Sequence, residues 1–107
     1  MKANRKFVAG AVLYFVGIGG IGMSGLAQMC RALGFSVSGS DRALDNPENQ
    51  RIFAGLRAQG IKLYPQDGSG IRAEHPDFLI YSSAIEEGNP DFAADPAGHP
   101  LDTPSGK

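Results

Sequence analysis

The chain carries a single cysteine, Cys30, so no disulfide can close within it, and its thiol content gives no reason to leave the cytoplasm. Tryptophan is absent and only 8% of the residues are aromatic. Neither sign of charge dominates: ten Lys and Arg against eleven Asp and Glu leave a net charge of −1, with no basic cluster. A nucleic-acid surface needs a basic face, and none is expected here. No apolar run approaches the ~20 residues of a membrane span, so no membrane partner is expected either. The basic start Met1 to Lys6, followed by apolar sequence from Phe7 to Val16, has the outline of a signal peptide. Glycines 17 to 22 follow where a cleavage site would stand, so a buried first strand and a cytoplasmic location are the better reading. His75 and His99 each neighbour a proline and lack a Cys or His partner at metal spacing, which predicts surface histidines and no metal site. Glu86-Glu87 reads as a solvated turn. No nucleophile stands beside a base, so no catalytic residue is assigned.

A chain of 107 residues, 42% hydrophobic and 20% charged, is sized for one small globular domain. Ala11 to Val16 is apolar without alternation, the pattern of a strand buried on both faces. Leu26, Met29, Cys30 and Leu33 recur at helical spacing, which predicts a helix over 21–33 with Cys30 in the core and Met23 and Met29 used in packing. Gly34 ends that helix. Phe35 to Asp41 alternates apolar and small residues and reads as strand two. Asn46-Pro47-Glu48 is a helix start of cap, first-turn proline and acid. Ile52, Phe53, Leu56 and Gln59 share one face of this helix, and Gly60 stops it. Ile61 to Tyr64 is a third strand, and Pro65 to Pro76 reads as a loop in which a helical turn near Ile71 is left open. Asp77 to Ser82 is a fourth strand, and Asn89-Pro90 repeats the cap-plus-proline start. Pro96 and Gly98 break the helix that follows. Pro100-Leu101 is the stub of a fifth strand, and residues 102–107 form a disordered tail to a domain spanning 1–101. The expected fold is α/β: a small doubly wound parallel sheet of four to five strands, helices on both faces.

One segment outweighs the rest: Phe15-Val16-Gly17-Ile18-Gly19-Gly20-Ile21-Gly22-Met23-Ser24-Gly25. A G-x-G-x-x-G match is weak alone. Between a strand and a helix it forms a Rossmann-like turn, where free N–H groups and the positive helix end face an anion. On that pattern Gly17 permits the sharp exit from the strand, Gly19 lets backbone approach a pyrophosphate, and Gly22 lets the helix pack close. Asp41, 19 positions beyond Gly22, stands close to the ~20 expected of a ribose-binding carboxylate. Tyr81-Ser82-Ser83-Ala84-Ile85 falls at the carboxyl end of strand four, where small hydroxyls can bond a base or sugar. Gly19→Val is expected to abolish diphosphate binding with the fold left largely intact. An NAD-type Rossmann domain of an oxidoreductase or redox regulator fits the glycine turn and Asp41 as well. So does a remnant that binds nothing.

The glycine segment, then Val37-Ser38-Gly39-Ser40-Asp41, then Ser82-Ser83-Ala84-Ile85 with Asn89-Pro90 beyond, resembles the N-terminal domain of the Mur ligases. Within that family the likeness is to the branch that joins L-alanine to UDP-N-acetylmuramate. The three segments keep the family's order and spacing over residues 13 to 92. The resemblance implies a three-domain cytoplasmic enzyme of peptidoglycan synthesis. Its first domain binds the UDP part of UDP-N-acetylmuramate, its second ATP and magnesium, and its third brings the amino acid. It implies that Gly17, Gly19, Gly20, Ile21, Gly22, Met23 and Ser24 hold the diphosphate. Ser40, Asp41, Ser82, Ser83 and Ala84 would lie against the uridine.

The sequence departs from the family at its end. Thr103-Pro104-Ser105-Gly106-Lys107 looks like a piece of a phosphate loop, but position 101 is Leu where G-x-x-x-x-G-K requires Gly. Asp95-Pro96-Ala97-Gly98 is also unlike the uninterrupted helix of the family. The expectation is a binding domain, excised or naturally truncated, with no cofactor of its own and no ligase activity alone.

Overall fold

The computed structural model describes residues 10–82 and 89–94. Along the chain come β1 (Val12–Val16), α1 (Met23–Ala32), β2 (Ser36–Ser40), a 3-10 turn Pro47–Asn49 leading into α2 (Gln50–Ala58), β3 (Lys62–Tyr64), α3 (Ser69–Glu74), β4 (Phe78–Ile80) and α4 (Pro90–Ala94). The four strands form one sheet in the order β3-β2-β1-β4, and every pair is parallel. The expected α/β class and strand-helix alternation are therefore observed. The fifth-strand stub at Pro100-Leu101, the break at Pro96 and Gly98, the tail 102–107, His99, Glu86-Glu87 and the basic start fall outside the described residues.

The unalternating run of β1 is explained by burial on both faces. Leu13 and Phe15 join a core with Ile18, Ala27, Val37, Phe53, Leu56, Ile61 and Phe78, roofed by α1 and α2. Tyr14 and Val16 point the other way, to Ile71 and Leu79, with Tyr64, Tyr81, Phe92 and Ala94 packed around them under α3 and α4. Each fully buried large side chain here, Phe15 and Phe53 among them, contributes roughly 1.5–3 kcal/mol by leaving water. The chain thus crosses from one face to the other between β3 and β4. The strand order reverses at β1, which places the switch point between β1 and β4.

The helix ends follow local chemistry. The Asn46 side chain accepts from the Glu48 N–H at 2.9 Å, and Pro47 takes the first position of the 3-10 turn. After α1, Gly34 N–H donates to Arg31 and Phe35 N–H to Cys30. After α2, Gly60 donates to Arg57 and Ile61 to Leu56. Both are Schellman closures, in which an apolar residue returns toward the core just after the glycine.

Two expectations about helices are corrected. In α1 the fully buried residue is Ala27, with Met23 and Cys30 partly buried against the core. Leu26, Met29 and Leu33 are exposed, Met29 by 59%. Larger side chains occur on both flanks of the helix, and spacing alone does not choose between them; the small Ala27 sits where α1 meets the sheet. Ile52 and Gln59 on α2 are likewise exposed, while Phe53 and Leu56 carry that helix's burial. The second correction concerns the segment read as a loop, which contains α3, with Gly70 and Ile71 buried. Gly70 lowers helix propensity, but a Cβ there would collide with the Tyr14 hydroxyl and the Tyr64 ring. Close contact with the sheet requires the residue that the propensity scale penalises. His75 caps α3 in the left-handed region (φ 49) and is exposed, as expected.

Candidate ligand-binding site

The end of β2 holds the glycine turn in place. The Ser40 carbonyl accepts from both Gly17 N–H and Ile18 N–H at 2.8 Å, and Asp41 Oδ2 accepts from Gly19 N–H at 2.8 Å. Three successive backbone donors are therefore spent inside the protein. Gly20 N–H turns back to the Gly17 carbonyl at 3.0 Å, and Met23 and Ser24 N–H both go to the Gly20 carbonyl. The N–H groups of Ile21 and Gly22 make no hydrogen bond among the described residues. Both residues are exposed, Ile21 fully so. Of the run Gly17 to Ser24, the backbone donors left unbonded within the protein are therefore those at the tip, next to the positive end of the ten-residue α1.

The glycines divide their tasks differently from the sequence pattern. Gly17 leaves β1 with φ 82, consistent with a sharp exit. Gly22, expected to allow close helix packing, is exposed, and a Cβ there would meet nothing within 4 Å. Its requirement is instead its φ of 85 as it starts α1. Gly19, expected to make room for a phosphate, makes room for the protein: a Cβ would lie 2.9 Å from Asp41 Oδ2 and 2.9 Å from the Phe53 ring.

The other proposed contacts are partly assembled at the same end of the sheet. Asp41 is half-buried, and its second oxygen accepts from Ala43 N–H at 2.9 Å. Each carboxylate oxygen retains a lone pair for a ligand hydroxyl. Phe15 pairs with Ile80, so two residues further on, the glycine turn and exposed Ser82 flank the switch point. Ser40 is turned away: it is fully buried on the α3–α4 face, where its hydroxyl donates to Asp91 Oδ2. Ser83, Ala84 and Ile85 lie outside the described residues.

The sequence reading did not register the polar layer under α3 and α4. Asp91 is fully buried, and its Oδ1 accepts from Gly68 N–H at 2.8 Å. Burial pushes its carboxyl above the ordinary carboxylate value, while the bonds from Ser40 and Gly68 pull it back. Asn89 caps the same helix by accepting from Asp91 N–H and reaches Gln66 at 2.7 Å. Beside them the Tyr14 hydroxyl is raised by burial and then by the Asp91 charge. The available signal was the serine alternation of β2: Ser38 and Ser40 fall on a face that a buried strand would otherwise fill with apolar residues. No group of three or more His, Cys, Asp or Glu among the described residues is placed to hold a metal ion. No described helix is long and apolar enough to cross a membrane.

A parallel sheet of order β3-β2-β1-β4 with a glycine turn opening at the switch point defines a Rossmann-like α/β domain. More narrowly, this chain belongs to the Mur ligase family: residues 12–100 match the family model described as "Mur ligase family, catalytic domain". It is 48% identical to the UDP-N-acetylmuramate–L-alanine ligase of Methylobacillus flagellatus, across 88% of this chain and 18% of that protein. It is 42% identical to the ligase of the same name from Agathobacter rectalis, across 77% and 17%. Among solved structures it is similar to the UDP-N-acetylmuramate:L-alanyl-gamma-D-glutamyl-meso-diaminopimelate ligase of Neisseria meningitides, at 29% identity and TM-score 0.68, covering 80% of this chain and 26% of that one. A murein peptide ligase from Psychrobacter arcticus gives 25% identity and the same TM-score, covering 84% and 18%. The chain spans under a fifth of the length of the curated relatives it matches.

Proposed function

We propose that this chain is the UDP-substrate-binding unit of UDP-N-acetylmuramate–L-alanine ligase chemistry in peptidoglycan precursor synthesis. The observation that carries the reading is the pair of N–H groups of Ile21 and Gly22, both exposed residues, that make no hydrogen bond among the described residues at the head of α1, beside the β1–β4 switch point. A diphosphate seated there meets two donors and the helix dipole. Asp41 and Ser82, with Ser83 and Ala84, take the uridine side, Asp41 through its remaining lone pairs. Ser40 serves from behind, through its carbonyl and its bond to Asp91, instead of touching the nucleotide.

ATP and magnesium belong, in this reading, to another part of a Mur ligase. The described residues present neither a metal-ligating cluster nor a phosphate loop of the Gly-Lys-Thr type, so no step through ATP is derived for them. The chain alone is expected to release no phosphate when given ATP, UDP-N-acetylmuramate and L-alanine; release above background overturns that expectation.

The test is a parallel titration with UDP-N-acetylmuramate, UDP, NAD and NADP, followed by amide chemical shifts. The reading expects the UDP ligands to bind tightest and to move Ile21 and Gly22 most. A preference for NAD overturns it in favour of an oxidoreductase-type domain, and silence with all four leaves a domain that binds nothing.

A further inference from the structure

The buried polar layer has a mechanical connection to the site. Ser40 uses two different groups in opposite directions. Its carbonyl carries Gly17 and Ile18 N–H at the base of the glycine turn, and its hydroxyl reaches through the sheet's other face to Asp91. The same carboxylate holds Gly68, the residue before α3. Asp91 also follows Asn89, whose amide donates to Gln66. One side chain thus ties together the end of β2, the turn into α3 and the start of α4, the helix that follows the segment after Ser82. Among the described residues, the Asp91 carboxylate bonds to Ser40 and Gly68, not to Ile21, Gly22 or Asp41. We propose that Asp91 is a positioning residue for the ligand site: by fixing Ser40 from behind, its carboxylate sets the glycine turn in which Ile21 and Gly22 are presented.

The geometry also says which replacement the site tolerates. Both carboxylate oxygens are acceptors here, one from a hydroxyl and one from a backbone N–H. An asparagine keeps the Gly68 bond with its carbonyl and offers its amide to the Ser40 oxygen, since a hydroxyl can accept as well as donate. An alanine loses both. The network should therefore survive Asp91→Asn and fail in Asp91→Ala.

The affinity readout rests on the proposed UDP ligand, and a second readout does not. Amide hydrogen exchange on the unliganded chain reports Gly17, Ile18 and Gly19 directly, with Gly34 and Gly60, at the ends of α1 and α2, as remote references. In Asp91→Ala and in Ser40→Ala the three turn amides are expected to exchange roughly tenfold faster than in the wild type with the references unchanged, the scale of coupling through one bonded network. The Kd for UDP is expected to rise by a similar factor, roughly tenfold. Asp91→Asn is expected to restore both. Wild-type exchange at Gly17–Gly19 in either alanine variant overturns the proposal whether or not UDP binds. So does uniform acceleration that includes Gly34 and Gly60, the mark of a purely structural residue. If Asp91→Ala does not fold, Ser40→Ala and Asp91→Asn decide the matter by the same criteria. Failure of the wild type to bind UDP overturns the ligand reading alone, and the exchange result stands independently.

Discussion

Gly19 shows how a motif residue can be right in type and different in purpose. The pattern placed it there for a phosphate, yet Asp41 Oδ2 and the Phe53 ring fill the space its Cβ would need. Gly19→Val should therefore cost about 1–3 kcal/mol of folding stability by overpacking the Phe53 core, so loss of binding in that variant would not by itself report the phosphate. Urea unfolding checks this, and an unchanged midpoint would refute the packing argument. A cleaner probe of ligand binding is Ile21, whose side chain is fully exposed. Ile21→Glu should change stability by less than about 0.5 kcal/mol while weakening UDP binding roughly tenfold, through a like charge beside the diphosphate seat. Calorimetry reads the second quantity; full affinity in the variant would displace the diphosphate from the turn. Asp41 was legible as the acid at the tip of β2. That its oxygens already brace Gly19 and Ala43 was not, because those bonds depend on how the β1 and β2 ends approach each other.

At the scale of elements, caps and glycines were readable because they act within a few residues of themselves. Asn46 accepts from Glu48 N–H where the local sequence placed a helix start. Asn46→Ala should lower stability by about 0.5–2 kcal/mol without altering the sheet, measurable as a shifted denaturation midpoint with an unchanged slope. A loss much below that range would show that water replaces the cap. The Schellman closures at Gly34 and Gly60 were equally local. Elements whose existence depends on a neighbour were less legible. α3 is six residues with a glycine in it, stable because Gly70 and Ile71 pack on Tyr14 and the sheet. The buried side of α1 is the Met23, Ala27, Cys30 face instead of the Leu26, Met29, Leu33 flank, a choice made by packing against the core that apolar spacing alone does not specify.

At the scale of the molecule, the buried carboxylate leaves a pH signature. The folded form of Asp91 has its pKa raised above the ordinary carboxylate value of 3.8, first by burial. Among the described residues, Tyr14 on β1, Asp67 before α3 and Arg72 on α3 are the charged or titratable groups around it, with Asp67 adding to the rise and Arg72 opposing it. Between the unfolded and the folded value, the native state holds a proton that the unfolded chain has released. This contribution to stability is fully present below the unfolded value and is lost as pH rises through the folded one. Relative to Asp91→Asn, the wild type should thus lose stability as pH is raised above the ordinary carboxylate value of 3.8. Parallel urea titrations across that range test it; parallel pH profiles for the two proteins would sink it. The sequence by itself determined the strand-helix alternation, the caps, the glycine turn and the acid that follows β2, because each is written in spacing over a few residues. Only the tertiary structure decided which glycine serves packing, which N–H groups of the turn remain available, and that Ser40 faces Asp91, 51 residues along the chain. Those outcomes depend on the meeting of segments distant in sequence. The glycine turn thus has its sequence in one loop and its support in the end of β2 and the start of α4.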